Sequence, residues 1–291
     1  SPPLADLVTR LPGHITGLGG AAALALIFAR HAWRALAFGV ALTVGLHAWL
    51  GMGASLVSGR QTTTMPPGPA SAEISVISLN TWDAVDNVEQ LKAYFATAPA
   101  DVVVLSEIGP PKRALLEALK SVYPYQTDCA AQWHCSLALI SRVPFEAAGA
   151  VRHAKDNTPA FVWARFAGQL TVVGTHIYRP SRNPWLHVRQ ADALARVVRN
   201  IEGSVVLVGD LNMSPWSYSF RDLKTRAGLE GPRIFTPSWP AWPLPLPQVA
   251  LDHILISPDL TFATVRSGPA AGSDHLSMFA RIYRQPNTVD R

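Results

Sequence analysis

The residues best able to do chemistry stand where apolar runs of this 291-residue sequence begin or end. Such positions mark the rim of a sheet, where binding and catalytic sites commonly form. A single Asn or Asp at a strand end is usually only a turn former, and a single His is usually structural. Six separate runs that carry such groups make the turn-only interpretation insufficient. The groups are Asn80, Glu107, His176, Asp210 with Asn212, Asp252 with His253, and Asp274 with His275.

These residue types point to hydrolysis assisted by a hard metal ion. Asn80, Glu107 and Asp274 offer oxygen ligands, which suit Mg²⁺ or Mn²⁺ rather than zinc. A carboxylate-held Mg²⁺ polarises a phosphoryl oxygen, and a His beside an Asp can act as a general base. A second His, together with Asn212, can donate hydrogen bonds to the phosphoryl oxygens of a transition state. The chemistry that fits best is the attack of water on a phosphate ester.

Signatures of other enzyme classes are absent from the sequence. It contains no G-x-S-x-G nucleophile elbow, Walker A loop, GxGxxG, HExxH motif or CxxC pair. A disordered chain is excluded, because 48% of the residues are hydrophobic and only 15% are charged. No run of Lys and Arg marks a dedicated nucleic-acid-binding patch, although a nucleic-acid substrate stays possible on charge alone.

Strand-like and helix-like segments alternate from residue 73 onwards, and strands outnumber helices. This pattern predicts a mixed α/β (α+β) sandwich rather than a simple parallel sheet. Strands are predicted at 73–80, 101–107, 136–141, 161–167, 169–176, 204–210, 251–257, 260–265 and 275–283. Helices are predicted at 86–98 behind an Asp86–Glu89 capping box, at 110–122, at 183–201, and from a Ser214-Pro215 cap to about Ala227.

Six short motifs resemble, in their order along the chain, those of the endonuclease/exonuclease/phosphatase superfamily. They are SLN at 78–80, LSE at 105–107, GTH at 174–176, GDLNMSPWS at 209–217, LDHILIS at 251–257 and GSDH at 272–275. The resemblance covers about residues 73–283 and implies a four-layer DNase I-like α/β sandwich. The chain as a whole is similar to bacterial membrane-anchored members of that superfamily.

The resemblance also implies a role for each motif residue. Glu107 would be the main metal ligand, with Asn80 and Asp274 close to the metal. His275 would pair with Asp252, to activate water or to shape the phosphate site.

The remaining motif residues would act on water and on the phosphoryl group. Asp210 would orient or deprotonate the attacking water, and Asn212 would hold that water or a phosphate oxygen. His176 would donate to the phosphoryl group. Whether Asp210 or His275 is the general base stays open.

Two residues near the motifs are predicted to bind substrate, namely Arg179 and Trp216. Arg179 follows the GTH motif and can meet a substrate phosphate, although a solvated helix face is an equal alternative. Trp216 can belong to a substrate wall or a membrane-facing lip, with core packing as the alternative. His253 is interpreted as a structural residue of the sheet.

The first sixty residues are predicted to be a membrane anchor. Two stretches, at about 13–29 and 35–57, contain no Asp, Glu, Lys or Arg and approach or exceed the length that crosses a bilayer. A pair of buried helices in a soluble protein is the alternative. The predicted organisation is an anchor at 1–60, a linker at 61–72, a catalytic domain at 73–285 and a tail at 286–291.

The orientation of that anchor follows from the RHAWR turn at 30–34, which the positive-inside bias places in the cytoplasm. The catalytic domain is then expected in the periplasm, attached to a bacterial inner membrane. Because the sequence starts at Ser1 and not at Met, an upstream signal or span is expected. Cys129 and Cys135 can close a disulfide in such an oxidising compartment; metal binding and free thiols are the alternatives.

The sequence therefore predicts a bilayer-anchored phosphoesterase that depends on Mg²⁺ or Mn²⁺. The predicted partners are the bilayer and a phosphate-ester substrate, either a lipid head group or a nucleic acid, and no protein partner is indicated. A binding or scaffold protein that kept the fold and lost catalysis is the alternative. The sequence argues against it, because none of the expected catalytic positions is replaced.

Overall fold

The computed structural model describes residues 61–62, 73–130, 135–153, 156–233, 235–241 and 249–284. The hairpin predicted at 13–29 and 35–57 lies outside these residues, as do most of the linker and the tail. Within the described ranges, no helix is long and apolar enough to cross a bilayer.

The first sheet combines seven of the described strands. They are β1 (Gln61–Thr62), β2 (Glu73–Asn80), β3 (Val102–Ser106), β4 (Tyr125–Asp128), β5 (Leu137–Ser141), β11 (Leu260–Ser267) and β12 (Met278–Arg284). Their order across the sheet is β1-β11-β12-β2-β3-β5-β4. Strands β2 and β3 run parallel, whereas the other neighbours are antiparallel.

The second sheet combines the other five described strands. They are β6 (Ala147–Val151), β7 (Phe161–Phe166), β8 (Leu170–His176), β9 (Ser204–Asp210) and β10 (Asp252–Ile256). Their order is β10-β9-β8-β7-β6, and the β8–β9 pair is the parallel one. Each sheet thus contains one parallel pair whose two carboxyl ends lie side by side.

The described helices cover the outer faces of the two sheets. They are α1 (Val88–Thr97), a 3₁₀ turn (Pro110–Lys112) continuing into α2 (Arg113–Ala118), α3 (Pro184–Arg199) and α4 (Tyr218–Ala227). Helices α1 and α2 share a buried cluster with the first sheet, and α3 and α4 share one with the second.

Alternation along the strands explains why two sheets and two helical layers stack. In β2, Val76 faces a core that both sheets build together, whereas Ile77 faces the cluster shared with α1 and α2. In β9, Val206 faces the core between the sheets and Leu207 faces α3 and α4. Because successive side chains of a strand point to opposite faces, every central strand supplies two cores. The mixed α/β sandwich predicted from the sequence is confirmed.

The structure differs locally from the sequence analysis at two helix starts and at two edge strands. The Asp86–Glu89 capping box does not form, because α1 starts at Val88 behind Asn87 and no side chain caps it. Helix α4 starts after Ser217, whose side-chain oxygen accepts from the N–H of Phe220, and not at Ser214. The sequence analysis did not predict strands β4 and β6, which are half-exposed edge strands. The segment YQTD of β4 is mostly polar, and AAGAV of β6 consists mainly of Ala and Gly, which are depleted in strands.

The two cysteines are bonded to each other. Cys129 and Cys135 form a disulfide, so the other two readings of this pair, free thiols and metal ligands, do not apply in this structure. Both residues are buried against the core between the sheets, ahead of and beside β5.

A close approach of the sheets just below the strand ends requires a glycine. A Cβ at Gly174 in β8 would lie 2.5 Å from Cγ1 of Val104 in β3 and 3.0 Å from Cγ2 of Val162. Any side chain there would push the sheets apart, two residues before His176.

We therefore expect Gly174→Ala to lower the free energy of unfolding by about 1–3 kcal/mol through overpacking. Urea unfolding of the full chain in mild detergent would measure it. Gly109→Ala is the matched control, because a Cβ there meets only Pro111 Cδ at 3.7 Å. Adding Val104→Ala to Gly174→Ala should recover part of the loss; equal effects of Gly174→Ala and Gly109→Ala would contradict the argument.

Candidate active site

The carboxyl ends of the two parallel strand pairs meet at one edge of the sandwich. Register places Asn80 opposite Ser106 in the first sheet and His176 opposite Asp210 in the second. The side-chain amide of Asn80 joins the two sheets, since its Nδ2 donates to Glu107 Oε1 at 2.9 Å and to Asp210 Oδ2 at 3.1 Å. Residues separated by up to 130 positions therefore share one buried polar centre.

A histidine held between two carboxylates forms the second part of this centre. Strand β10 begins at Asp252, directly opposite Asp210 in the antiparallel register. His275 Nδ1 lies 2.7 Å from Asp252 Oδ2, and its Nε2 lies 3.9 Å from Asp210 Oδ2. All three side chains are buried, and one ligand atom from each lies within 4.8 Å of the others. The imidazole thus bridges the two aspartates.

Glu107 is held in place by donors from three directions. Its Oε1 accepts from Asn80 and, at 2.9 Å, from Arg179 Nη2, and it lies 3.9 Å from His176 Nε2. Its Oε2 accepts from the N–H of Asp83 at 3.2 Å. The backbone of Glu107 has a φ of +56°, which is unfavourable for a residue with a Cβ. Strained backbone of this kind persists where surrounding contacts determine it, as they do here.

A buried lysine supports the loop that follows β2. The ammonium group of Lys112 donates to the backbone carbonyls of Thr81 and Trp82. Trp82 has a φ of +54°, and its N–H donates to Asn80 Oδ1 at 3.0 Å. Lys112 therefore fixes the loop that orients Asn80. The sequence analysis did not identify Lys112, because nothing in a helix-like PPKRALLE segment indicates that this lysine is buried.

His176 and Asn212 complete the centre on the side of the second sheet. His176 Nε2 lies 3.5 Å from Asp210 Oδ2. The backbone of Asn212 has a φ of +53°, a conformation that Asn tolerates better than most residues. Its N–H donates to Asp210 Oδ1 at 2.9 Å, and its Nδ2 donates to the carbonyl of Ile177 at 2.9 Å. The GDLN segment therefore turns back on its own aspartate.

The hydrogen bonding of the Asp274 carboxylate shows whether the centre suits a hard metal ion. Its Oδ2 accepts from Trp239 Nε1 at 3.2 Å, whereas its Oδ1 is buried without a hydrogen bond from any described residue. A buried carboxylate oxygen with no donor is costly unless a cation or water satisfies it. Glu107 and Asp274 thus offer oxygen donors of the type that Mg²⁺ prefers. Asp210, Asp252 and His275 form the other group with metal-binding potential.

The two residues predicted to bind substrate have different positions. A cleft of about 700 Å³ opens beside Glu107 and His176, and Arg179 lines it. Trp216 is half-buried directly before Ser217 at the start of α4 and is not among the described residues that line this cleft.

His253 has the structural role interpreted from the sequence. Its Nε2 lies 2.8 Å from the carbonyl of Met213 and donates to it, and its ring packs on Phe220 and Phe235 at 4.4 and 5.6 Å. Burial lowers the pKa of His253 to about 4, so this imidazole stays neutral at ordinary pH.

Burial and charge oppose each other at the two main ionisable groups. Burial raises the pKa of Glu107, but His176, Asn80 and Arg179 outweigh it and leave that pKa below its usual value. Burial lowers the pKa of His275, but Asp252 first and then Asp210 raise it to about 9. The centre therefore favours an ionised Glu107 and a protonated His275.

We expect Asp252→Asn to lower the pKa of His275 from about 9 towards the ordinary histidine value of about 6.5, because burial then loses its main opponent while Asp210 and Asp274 still raise the pKa. NMR titration of the imidazole nitrogens, in the presence of a chelator, would measure it. His253 is the internal control and should stay near 4 in both proteins. In the unsubstituted chain, stability from the raised pKa should be present below pH 6.5 and disappear as pH rises through about 9. A His275 that titrates near 6.5 in the unsubstituted chain would contradict the charge argument.

Comparison with solved structures gives relatives of the same fold at low sequence identity. TDP2 of D. rerio, solved in complex with a single-strand DNA product, is 18% identical and superposes with a TM-score of 0.58 over 72% of this chain and 99% of that one. Sphingomyelinase C from Streptomyces griseocarneus is 17% identical, with a TM-score of 0.52 over 72% and 99%. A mutant beta toxin from Staphylococcus aureus with bound magnesium ions is 16% identical, with a TM-score of 0.53 over 74% and 100%. These likenesses establish a shared fold.

Sequence comparison identifies the family directly. No curated protein matches the sequence significantly. A family profile described as the Endonuclease/Exonuclease/phosphatase family matches residues 77–275. The match covers more than half of the chain and includes all the residues of the centre, from Asn80 to His275. The chain therefore belongs to the endonuclease/exonuclease/phosphatase family.

Proposed function

We propose that the protein is a Mg²⁺-dependent phosphoesterase that cleaves its substrate by direct attack of water. The observation that carries this proposal is the His275 imidazole between Asp252 and Asp210, across a polar centre from Glu107. A base near an ionised carboxylate, together with several hydrogen-bond donors, is the combination that in-line hydrolysis of a phosphate ester needs. Mn²⁺ is the alternative ion.

Water activation falls to the buried Asp210–His275–Asp252 group. The carboxylate of Asp252, 2.7 Å from Nδ1, fixes the imidazole ring so that Nε2 faces Asp210. A water held at Asp210 can lose its proton to either the carboxylate or the imidazole. The pKa of about 9 makes His275 a proton donor at rest, which favours Asp210 as the acceptor and His275 as the residue that stabilises the charge on it.

Donors for the phosphoryl oxygens stand around the same point. His176 Nε2 lies 3.5 Å from Asp210, and the amide of Asn212 follows two residues after it. Both can donate to the oxygens that gain charge in the transition state. Arg179, which lines the cleft and contacts Glu107, adds a guanidinium that matches phosphate geometry.

Glu107 and Asp274 are the residues that would hold the metal ion, with Asn80 orienting Glu107. When bound, Mg²⁺ would supply positive charge to a phosphoryl oxygen and to the leaving oxygen. This assignment is supported by the oxygen-only donor set and by the unsatisfied Oδ1 of Asp274. A scaffold that had lost catalysis would have no need to retain this complete set of mutually bonded side chains.

Hydrolysis of bis-p-nitrophenyl phosphate by the full chain in mild detergent tests the proposal. We expect turnover with Mg²⁺ and none with a chelator, because the metal supplies charge that no side chain replaces. Both Glu107→Gln and His275→Ala should lower kcat by about 10²-fold or more. Glu117→Gln on the exposed face of α2 is the matched control and should keep full activity.

Two outcomes would contradict the proposal. One is full activity in the presence of the chelator, and the other is a Glu107→Gln variant as active as Glu117→Gln. If neither a diester nor p-nitrophenyl phosphate is turned over with any divalent ion, the scaffold alternative becomes the better account. Parallel assays with lipid vesicles and with single-stranded oligonucleotides distinguish the two candidate substrate classes.

We further propose that residues 1–60 anchor this domain to a bacterial inner membrane, with the domain in the periplasm. The two charge-free stretches and the RHAWR turn between them support the anchor and its orientation. The Cys129–Cys135 disulfide supports an oxidising compartment, since disulfides are rare in the bacterial cytosol.

Reporter fusions after residue 70, expressed in a Gram-negative bacterial host, test the orientation. An alkaline phosphatase fusion should be active and a green fluorescent protein fusion dark, because the first folds only outside the cytoplasm and the second only inside it. Fusions placed in the RHAWR turn should show the reverse pattern. A fluorescent fusion after residue 70 would overturn the periplasmic assignment.

A further inference from the structure

The cleft beside Glu107 continues along a wall that the catalytic roles do not use. Besides Glu107 and His176, its described lining includes His153, Arg182 and Gln190. Gln190 is buried in α3, whereas His153 and Arg182 are exposed. This wall of the cleft therefore combines two exposed basic side chains with a buried amide that contacts one of them, His153.

Gln190 determines which nitrogen of His153 carries the proton. The N–H of Tyr178 donates to Gln190 Oε1 at 2.7 Å, which fixes the orientation of the amide. The other end of the amide, Nε2, then faces His153 Nδ1 at 3.3 Å and donates to it. In a neutral imidazole with an accepting Nδ1, the proton lies on Nε2. His153 therefore presents its Nε2–H as a hydrogen-bond donor.

Arg182 adds a guanidinium without an ionic partner. Among the described residues, no carboxylate lies within salt-bridge distance of it, in contrast to Arg179, which is paired with Glu107. The turn that carries Arg182 is fixed, because its N–H donates to the carbonyl of Arg179 at 3.1 Å. No described residue accepts a hydrogen bond from its guanidinium, which has five N–H donors.

We propose that Arg182 and the Nε2–H of His153 form a subsite for a second phosphate group of the substrate, beyond the phosphate that is cleaved. This inference rests on the proposed phosphoesterase function. The guanidinium of Arg182 and the Nε2–H of His153 are both hydrogen-bond donors, and a dianionic phosphate group only accepts hydrogen bonds. The preferred substrate is then a phosphodiester that carries a further phosphate, supplied by either a nucleotide strand or a phosphorylated lipid head group.

Two pairs of compounds that differ by one phosphate test the subsite in the full chain. The nucleotide pair is the dithymidine dinucleotide with and without a 5′-phosphate. The lipid pair is phosphatidylinositol 4-phosphate and phosphatidylinositol in phosphatidylcholine vesicles. We expect the extra phosphate to raise kcat/KM about tenfold or more in one pair, which identifies the source. Arg182→Gln and His153→Phe should remove most of this preference and leave kcat/KM for bis-p-nitrophenyl phosphate within about twofold.

Conservative and matched variants separate donation from general effects. His153→Gln retains a donor and should keep part of the preference that His153→Phe loses. Arg189→Gln removes an exposed arginine of α3 that does not line the cleft, and it should keep the whole preference. A preference that survives both Arg182→Gln and His153→Phe, or that appears in neither pair, would overturn the inference.

Binding measured without turnover keeps this test independent of the proposed function. In the presence of a chelator, calorimetry with the dinucleotides and sedimentation with the vesicles report affinity alone. The extra phosphate should tighten binding by a similar factor, and Arg182→Gln should abolish the difference. Absent hydrolysis with this difference intact would contradict the phosphoesterase proposal, whereas hydrolysis without the difference would contradict the subsite.

Discussion

Two buried carboxylates, Glu107 and Asp210, impose the main constraint on this structure. Glu107 directly follows β3 of the first sheet, Asp210 ends β9 of the second, and both lie where the two sheets meet. Buried negative charges persist only when donors and cations compensate them. The amide of Asn80 donates to both at once, and Arg179, His176 and His275 supply positive character around them. The other contacts of the centre compensate the burial of these two groups and orient them.

That compensation also explains where the backbone is strained. Positive φ angles occur at Trp82, Glu107 and Asn212, each in a loop directly after a strand that ends at the centre. Side chains or backbone of these loops form the hydrogen bonds that hold the carboxylates. Lys112 secures one of the loops by donating to the carbonyls of two consecutive residues, Thr81 and Trp82. Strain at these positions is therefore maintained by the polar network and lies beside the proposed chemistry.

The proposal of phosphoester hydrolysis and the proposal of a membrane anchor are compatible, but they depend on different parts of the chain. The described residues of the centre and its cleft all lie from Asn80 onwards, in or beside two sheets that share one core. The anchor is a proposal about residues 1–60, and the disulfide beside the cleft is the feature of the described domain that bears on the compartment. A phosphoesterase tethered at a membrane surface would meet lipid head groups directly and nucleic acids only by encounter, so the second-phosphate subsite bears on which of them is the substrate.

The sequence alone determined the fold class and most members of the centre. Apolar runs identified the central strands, because this signal is local. Polar residues at the ends of these runs, which are equally local, identified Asn80, Glu107, His176, Asp210, Asn212, Asp252, Asp274 and His275. Edge strands β4 and β6 were not predicted, since the half-exposed YQTD is mostly polar and the half-exposed AAGAV consists mainly of Ala and Gly, which are depleted in strands. Lys112, Gln190 and His153 could not be found this way, because their roles arise from contacts between segments distant in sequence. Only the packing of one sheet on the other decided which strand ends meet, which carboxylate each donor serves, and on which nitrogen His153 holds its proton.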